Sequence, residues 1–516
     1  MLVSKSGVLD TNGKVVSIEA IGPILELQRT QGRTVAMCHG VFDLLHPGHF
    51  RHLRSARNEA DVLVVTITGD KYVGKGPDRP AFSQDLRAEA LASLESVNYV
   101  VIIEDSTAIP AITAVRPNVY VKGQEYAEEA DDPTGNIRRE RELVESNGGR
   151  VFFTDDIVFS SSKLINALLP QHSEGTQKWL ADLRAKYDAG VIFEWLDRLQ
   201  GLRILLVGET ILDIYTSCEA LGKASKEPVL CLNRGESVTH GGGILAIVAH
   251  CAGLGAAVTV VTGVNSRDAD CEQLADLRAL GVNLQLVFID PSPTVRKERL
   301  VDNNTQSRIL EIYQMDDKPL HGPTEDDLLG KLSSALEMAD AALIADYGHG
   351  LMTDRAIEML CSSGVFLAVN AQTNAGNHGF NSIGKYVRAD FATLNGSEAR
   401  LEVRRRHVDF DEYMPELRNG LKARSLLVTQ GGAGIDLYLA DGQVEHSPAL
   451  APFVLDRVGG GDAVLAATAL LSCIDAPPPV VAFIGNLVGA WAVSFLGNER
   501  TLQLGDLKRQ ITATLK

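Results

Sequence analysis

Short apolar runs alternate with amphipathic helical stretches along the first third of the chain. Five runs of strand length are rich in Val, Ile, Tyr and Phe, namely TVAMCHGVF, DVLVVTITGD, NYVVIIED, NVYVKG and RVFFTDD. Stretches such as HFRHLRSARNEA and SQDLRAEALASLES separate them and predict helices. This alternation predicts a parallel, doubly wound α/β sheet, whose ligands bind at the carboxyl ends of the strands. We place the domain at residues 33–170, after an N-terminal extension of residues 1–32.

A second α/β pattern occupies residues 201–516. It begins with LRILLVGETILD, continues through AAVTVVTGV, AALIADYG, FLAVNAQ, FATLNGSE and SLLVTQGG, and ends in two apolar helical segments. Residues 171–200 are polar at first and then amphipathic, which predicts a helical linker. Residues 480–497 have about the minimum length of a membrane span, but they contain Asn486 within a globular pattern, so we predict a buried helix.

The composition fits a globular protein of at least two domains. The chain has 516 residues, of which 45% are hydrophobic and 22% charged. Its formal net charge of −17 opposes a general affinity for nucleic acid, which requires clustered Lys and Arg, so no nucleic-acid partner is expected. Seven scattered cysteines without a CxxC pair and an N-terminus without an apolar signal core predict reduced thiols in a cytoplasmic protein that does not bind membranes.

The first candidate site directly follows the first predicted strand. Glycines there let the backbone approach a phosphate, and a helix that begins near His49 offers free N–H groups and a positive dipole end. Two imidazoles can stabilise the charge that develops on an α-phosphate during nucleotidyl transfer. The alternative is a polar loop with two structural histidines, which the specific spacing of GVFDLLHPGH disfavours. The candidate residues are Gly40, Phe42, Asp43, His46, Gly48 and His49.

This segment resembles the nucleotidyltransferase superfamily typified by the cytidylyltransferases. The segments VKGQEY and FSSSK are similar to the VKGxDY and (I)STT(K) motifs of that superfamily. The resemblance implies that His46 and His49 are catalytic. It assigns phosphate binding to Lys75, Arg87, Lys122, Ser160, Ser161 and Ser162.

The nucleotide of this first site is less closely defined. Within the superfamily, the block is most similar to the heptose 1-phosphate nucleotidyltransferase domains of bifunctional heptose enzymes. Glycerol-3-phosphate-type cytidylyltransferases carry RTxG before ISTT, whereas TDDIV occupies residues 154–158 here. Because the heptose enzymes also lack that Arg, the resemblance favours ATP, and CTP stays open.

The second candidate site is the segment DRVGGGD, which leads into a predicted helix. Gly459, Gly460 and Gly461 at a helix N-terminus can form a nest of N–H groups for a transferring phosphoryl group. Asp462 in the first turn can accept the proton of an attacking sugar hydroxyl. A glycine turn with an acidic helix cap is the alternative.

The second block resembles the ribokinase-like (PfkB) sugar kinases, whose signature is DTxGAGD. The resemblance implies ATP as phosphoryl donor and Mg²⁺ bound through the nucleotide, with no direct protein ligand and Glu398 reaching the ion through water. Within that family, DYGHG is similar to the SDYxKG of heptose 7-phosphate kinases. The nucleotide-binding residues implied, besides the glycines, are Asn395, Glu398, Thr429, Gly431 and Asn486. The implied substrate-binding residues are Asp213, Gly241, Gly242, Arg296 and Lys297.

Three departures from the kinase pattern keep two functions open. Ala246 stands where the family has a sugar-contacting Asn, VNAQ at residues 369–372 replaces VDPK, and Arg457 replaces Thr. We predict a bifunctional sugar-phosphate kinase and sugar 1-phosphate nucleotidyltransferase that makes an activated, heptose-like nucleotide sugar. The alternative is a nucleotidyltransferase whose degenerate kinase domain serves binding or oligomerisation.

The order of the two blocks is reversed relative to the heptose enzymes, in which the kinase comes first. The expected partners are sugar phosphates and nucleoside triphosphates. Since PfkB-type kinases are often dimers, analogy predicts a homodimer or a higher homo-oligomer.

Overall fold

The computed structural model describes residues 13–73, 80–123, 136–154, 172–303, 305 and 307–515. These residues form two compact units. The first comprises the residues up to Ser173 together with those from Gly505, and the second comprises Glu174–Leu504.

The first unit contains a parallel five-stranded sheet of order β3-β2-β1-β4-β5. Each of the five apolar runs in the sequence forms one of its strands, which confirms the α/β prediction. The strands are β1 (Val35–Gly40), β2 (Val62–Thr68), β3 (Tyr99–Ile103), β4 (Val119–Gly123) and β5 (Arg150–Thr154). The helices are α1 (Ile18–Thr30), α2 (Pro47–Asn58), α3 (Gln84–Ala92), α4 (Ile109–Val115) and α5 (Asn136–Ser146).

Apolar side chains cover both faces of this sheet, as is usual for a parallel sheet flanked by helices. Strand β2 is buried at every position. Helix α1 adds to this core, because Ile21 and Leu25 are fully buried in one cluster with Val35 and Val64. The segment interpreted as an N-terminal extension therefore contributes to the core of the first unit.

The second unit contains a sheet of nine described strands, in the order β10-β9-β6-β13-β14-β15-β16-β17-β18. It is parallel as far as β16 and antiparallel from there. Its strands are β6 (Arg203–Gly208), β9 (Ala257–Val264), β10 (Asn283–Phe288), β13 (Ala341–Asp346), β14 (Phe366–Ala371), β15 (Phe391–Asn395), β16 (Ser425–Thr429), β17 (Ile435–Leu439) and β18 (Val444–Ser447).

A smaller sheet of order β12-β11-β7-β8 belongs to the same unit. Its strands are β7 (Thr210–Lys223), β8 (Leu230–Gly243), β11 (Val295–Asp302) and β12 (Arg308–Gln314). The remaining helices are α6 (Glu174–Lys186), α7 (Ala189–Asp197), α8 (Ile244–Gly253), α9 (Glu272–Ala279), α10 (Gly322–Leu336), α11 (Asp354–Ser362), α12 (Gly396–Glu402), α13 (Phe410–Gly420), α14 (Gly460–Cys473), α15 (Pro478–Ala492) and α16 (Leu504–Thr514).

Helices α14 and α15 lie at the centre of the second unit. They approach closely because α15 carries glycine at the contact, where a Cβ on Gly485 would lie 2.7 Å from Cγ2 of Thr468. Most of α15 is buried, which confirms the prediction of a buried helix within residues 480–497. No helix in the described part of the chain is long and apolar enough to cross a membrane.

Candidate functional site

The paired histidines of the first unit lie together at the start of α2. The rings of His46 and His49 stack with a centroid distance of 4.0 Å. His46 is the N-cap of α2, and its Nδ1 accepts a hydrogen bond from the backbone N–H of Gly48 at 3.1 Å. Burial lowers the pKa of His46, so the ring is neutral near pH 7. Since Nδ1 is an acceptor, the proton of the neutral ring is on Nε2.

The loop before the histidines is held in a conformation that L-residues rarely adopt. Phe42 has a φ of +49°, and its ring lies 5.3 Å from the ring of His49. A Cβ on Gly40 would come within 3.2 Å of the Phe42 ring, so glycine permits this packing. Asp43 is buried and accepts a hydrogen bond from the backbone of Phe82 at 3.2 Å. These residues therefore fix the backbone of the loop from which the histidines project.

Arg87, a predicted phosphate-binding residue, is enclosed by the protein. It is only 1% exposed, and four of its N–H donors are used within the protein. They bond the carbonyls of Phe82, Val41 and Thr68 and the carboxylate of Asp70 at 2.5–3.0 Å. Arg87 thus joins the loops that follow β1 and β2, and phosphate binding by its guanidinium stays a prediction.

The buried guanidinium of Arg87 leads to a stability prediction. Arg87→Met leaves Val41, Thr68 and Asp70 without their donor, so we expect the free energy of unfolding of the first unit to fall by about 3 kcal/mol or more. Urea unfolding followed by hydrogen exchange of peptides from β1 and β2 measures this change. Arg54→Met, at an exposed position on α2, is the matched control and should change it by about 0.5 kcal/mol or less. An equal response of both variants would contradict the assignment.

Of the remaining phosphate-binding candidates of the first unit, one lies within the described residues. Lys122 lies at the carboxyl end of β4 and forms an ion pair of 2.9 Å with Glu140, which also accepts from the hydroxyl of Tyr120. Burial, with Lys122 nearby, lowers the pKa of His39 to about 3, so this ring beside Gly40 is neutral. Lys75 and the serines 160–162 lie outside the described residues.

In the second unit, the carboxyl ends of four neighbouring strands open into one cleft of about 930 Å³. The first residue beyond β13 is Tyr347, the first beyond β14 is Gln372, and β15 and β16 end at Asn395 and Thr429. Ligands of doubly wound sheets bind at such an edge. The cleft gathers these predicted site residues: Asp213, Lys297, Asn395, Glu398, Thr429, Gly431, Gly459, Gly460, Gly461, Asp462 and Asn486.

Asp462 is held at the start of α14 by two donors from the strand ends. The hydroxyl of Tyr347 and the amide of Gln372 donate to its Oδ1 at 2.9 and 3.0 Å. In the described part of the chain, no protein donor reaches Oδ2, which is left for a substrate hydroxyl. Burial raises the pKa of Asp462 to about 6, and the bonds from Tyr347 and Gln372 lower it. The carboxylate is therefore ionised at neutral pH while being more basic than an exposed aspartate.

The glycine loop before Asp462 is anchored by Asp456. The buried carboxylate of Asp456 pairs with Arg308 and accepts from the Tyr215 hydroxyl at 3.2 Å and from the backbone of Val458 and Gly497, both at 3.0 Å. Gly459 has a φ of +79°, and a Cβ there would meet Oδ1 of Asn498 at 2.2 Å. Both constraints require glycine at position 459 and preorganise the N–H groups at the start of α14.

Asn395 and Glu398 form a capping box at the start of α12. The side chain of Asn395 accepts from the backbone of Ser397 and Glu398, and Glu398 accepts from the backbone of Asn395, all at 2.9 Å. Burial raises the pKa of Glu398 to about 7 even though Thr373 donates a second N–H bond. A cation near this buried carboxylate would stabilise its charged form.

The donor set of the cleft fits a Mg²⁺ ion that is carried by a nucleotide. Among the described residues, no group of three or more His, Cys, Asp or Glu is placed to hold a metal ion. Asp213 is paired with Arg299, and Asp462 is bonded by Tyr347 and Gln372, which leaves Glu398 as the lining carboxylate that can approach such an ion through water.

The smaller sheet supplies the other wall of the cleft. Lys297 and Arg299 lie on one face of β11, in register with Asp213 and Tyr215 of β7, and Arg299 pairs with Asp213 at 2.5 Å. Arg296 was expected to contact substrate, but the two-residue period turns it to the opposite face, where it pairs with Asp268 at 2.5 Å. Arg296 is therefore not among the residues that line the cleft, and its contact with substrate stays a prediction.

Gly241 and Gly242, which were also predicted to bind substrate, do not line the cleft. A Cβ on Gly242 would lie 2.1 Å from Oδ2 of Asp213, so its role is to admit that carboxylate. Asn486 lines the cleft, but its amide nitrogen donates to Ser447 and to the carbonyl of Pro448, between 2.6 and 3.1 Å. These bonds hold the segment of Ser447 and Pro448 in place, and this segment borders the cleft wall that includes Thr429 and Gly431.

The structure shows the contacts of both amides in the VNAQ segment, which is one of the three departures from the kinase pattern. Gln372 contributes to the site by holding Asp462. Asn370 donates to the carbonyl of Thr393 at 2.9 Å and links β14 to β15 outside the cleft. Tyr347 was not predicted as a site residue, since its role depends on Asp462, which is 115 positions away in the chain.

Two family models match this chain, one in each α/β block. Residues 202–501, more than half of the chain, match the pfkB family carbohydrate kinases. Residues 37–167 match the cytidylyltransferase-like family. Among solved structures, phosphofructokinase-2 from Escherichia coli in complex with potassium matches with a TM-score of 0.50 and 16% identity, covering 61% of this chain and 100% of that one. At this identity, the match shows the fold alone.

Curated relatives named bifunctional protein HldE match shorter segments. The one from Syntrophotalea carbinolica is 36% identical over 170 residues, which cover 32% of this chain and 33% of the relative. The one from Bradyrhizobium diazoefficiens is 43% identical over 141 residues, which cover 27% of each. The chain thus spans about a third or less of the length of these relatives.

Proposed function

Because the chain belongs to the pfkB family of carbohydrate kinases and carries a cytidylyltransferase-like domain ahead of it, we propose that it is a bifunctional enzyme. The second unit transfers the γ-phosphoryl group of ATP to a sugar phosphate. The first unit transfers a nucleoside monophosphate to a sugar 1-phosphate and releases pyrophosphate. Together they make an activated nucleotide sugar of the heptose type, for which the HldE-named relatives are the support.

The observation that carries the kinase proposal is the position of Asp462 beside the glycine loop. The acceptor hydroxyl gives its proton to Oδ2 of Asp462, and its oxygen bonds to the γ-phosphorus while the bond to the β-phosphate oxygen breaks and ADP leaves. The N–H groups that follow Gly459 stabilise the charge of the transferred group. Bound Mg²⁺ would supply further charge neutralisation at the phosphates.

The acceptor side of the cleft favours a sugar phosphate over a neutral sugar. Lys297 is 9% exposed and is not among the ion pairs of the described residues. It lies over the rings of Tyr313 and Tyr347 at 5.6 and 6.0 Å, and burial lowers its pKa. An anionic group on the acceptor would supply the counter-charge that this ammonium needs.

The stacked histidines support nucleotidyl transfer in the first unit. Neutral His46 presents Nε2–H as a hydrogen-bond donor, and His49 lies against it at the N-terminus of α2. Both can contact the α-phosphate as the sugar 1-phosphate oxygen attacks the phosphorus and pyrophosphate leaves. ATP is the proposed nucleotide and CTP the alternative. A cytoplasmic location and a homo-oligomeric state belong to the same proposal.

The direct test is mass spectrometry of products from the purified chain with Mg²⁺, ATP or CTP, and a panel of sugar phosphates. We expect a sugar bisphosphate from the kinase cleft and a nucleotide sugar with pyrophosphate from the first unit. Nucleotide sugar without any bisphosphate would support the alternative, in which the kinase domain is degenerate. Neither product across the panel would overturn the proposal.

The environment of Asp462 gives a pH prediction. Since the base must be unprotonated, kcat/KM of the kinase reaction should fall as the pH drops through about 6. Tyr347→Phe and Gln372→Met each remove a bond that lowers this pKa, so each should move the acidic limb to higher pH. Rate profiles from pH 5 to 9 measure the shift, and an unmoved or downward-shifted limb would contradict this role.

A further inference from the structure

Four basic side chains line the cleft of the second unit: Lys297, Arg299, Arg400 and Arg457. Two of the three arginines are engaged by the protein. Arg299 pairs with Asp213 and Glu311 at 2.5 and 3.3 Å. Arg400 donates to the carbonyl of Gly396 at 3.0 Å and lies 5.1 Å from the ring centre of Phe410.

Arg457 differs from both in having no partner in the described part of the chain. Its side chain is exposed and lines the cleft two residues before Gly459, at the start of the glycine loop. Its backbone is held in place by the neighbouring Asp456, whose carboxylate is bonded to Arg308, Val458 and Gly497. Arg457 therefore offers all five N–H donors to the cleft from a fixed point.

A bound nucleotide adds negative charge to a cleft that already contains carboxylates. Three carboxylates line it, those of Asp213, Glu398 and Asp462, and a nucleoside triphosphate brings several further negative charges. Lys297 lies in register with Asp213 on the wall that we assign to the acceptor, so it is not the cation that we assign to the nucleotide. Position 372, where the VDPK pattern has a base, holds a neutral amide that is bonded to Asp462.

We propose that Arg457 binds the β- and γ-phosphates of the nucleotide in the kinase cleft. It thus supplies, from the glycine loop, the positive charge that is missing after β14, where Gln372 replaces the base of the VDPK pattern. This inference rests on the proposed kinase function and assigns a residue to it. A guanidinium suits this task because its planar donors can bond two phosphate oxygens at once.

The test uses hydrogen exchange of the full chain with Mg²⁺ and adenosine, ADP or a non-hydrolysable ATP analogue. Protection of peptides from α12 and α14 measures ligand binding in the kinase cleft. Protection of peptides from α2 separately measures binding at the nucleotide site of the first unit. We define the midpoint as the ligand concentration that gives half-maximal protection. For Arg457→Thr we expect the midpoints of ADP and of the analogue in the kinase cleft to rise about ten- to hundredfold, whereas the midpoint of adenosine should not change. Arg457→Lys should raise these midpoints less. Arg406→Thr makes the same charge change at an exposed site outside the cleft, and its midpoints should equal those of the wild type.

Three other results would contradict phosphate binding by Arg457. Equal weakening of adenosine and ADP would show that Arg457 shapes the loop and would overturn phosphate binding. Unchanged midpoints for all three ligands would overturn it as well, while leaving the kinase proposal intact. A wild-type cleft that no nucleotide protects, together with the absence of a sugar bisphosphate among the products, would overturn both.

Discussion

Asp462→Asn should abolish the kinase reaction and leave nucleotidyl transfer unchanged. The substitution keeps the size of the side chain but removes the proton acceptor, so we expect kcat for ADP formation to fall about 10³-fold or more. The bonds from Tyr347 and Gln372 converge on Oδ1 of this residue, and we propose that its Oδ2 accepts the proton. ADP and sugar bisphosphate formation measure the first effect, and pyrophosphate release measures the second.

The stability of the same variant shows whether its loss of activity is chemical. The folded-state pKa of Asp462, about 6, is raised above the unfolded value, so the wild type loses stability as the pH rises from about 4 through about 6, and the full loss is present at higher pH. Asp462→Asn escapes this loss and should unfold at a higher urea concentration at pH 7.5. Asp475→Asn, at an exposed position, is the control and should keep both activity and stability. If Asp462→Asn retained kinase activity, Asp462 would not be the base of the reaction.

His46→Ala should lower nucleotidyl transfer by about 10²- to 10³-fold without affecting the kinase. The expected loss is large because Nε2–H of a neutral, buried ring is a preorganised donor that water cannot replace. Pyrophosphate release at saturating nucleotide and sugar 1-phosphate measures the loss.

A second substitution separates catalysis from helix capping. His46→Ala also removes the acceptor for the N–H of Gly48, which should cost about 1 kcal/mol of stability. His46→Asn keeps a good N-cap but lacks the reach of Nε2, so it should retain stability while losing the activity. His407→Asn, at an exposed position of the second unit, is the control. If His46→Asn releases pyrophosphate as fast as the wild type, capping is the only role of His46.

The sequence predicted the five strands of the first sheet and six of the nine described strands of the larger one, namely β6, β9, β13, β14, β15 and β16, because these are apolar runs. Strand β2 is buried at every position, and strong runs of this kind predict buried parallel strands. The small sheet was largely missed, apart from the start of β7, which lies in the run LRILLVGETILD. Its strand β8 is exposed at half of its positions and contains many polar residues, so it has no apolar pattern to detect.

Motif spacing identified the residues whose function depends on their neighbours in the chain. The capping box of Asn395 and Glu398, the glycine loop before Asp462 and the helix cap at His46 are all built within a few residues. Arg87 and Arg296 show the limit of this reasoning. One is enclosed by Val41, Thr68 and other distant groups, and the other is turned away by the register of β11.

By itself, therefore, the sequence determined the two α/β domains, the histidine pair and the glycine loop that leads into Asp462, because these depend on local pattern and spacing. Only the tertiary structure decided which charges face a ligand. Folding brings Tyr347 and Gln372 onto Asp462, occupies Arg299 and Arg87 with protein acceptors, and leaves Lys297 and Arg457 for anionic groups. The physical reason is that the availability of a charged side chain depends on its burial and its partners, and those partners come from distant parts of the chain.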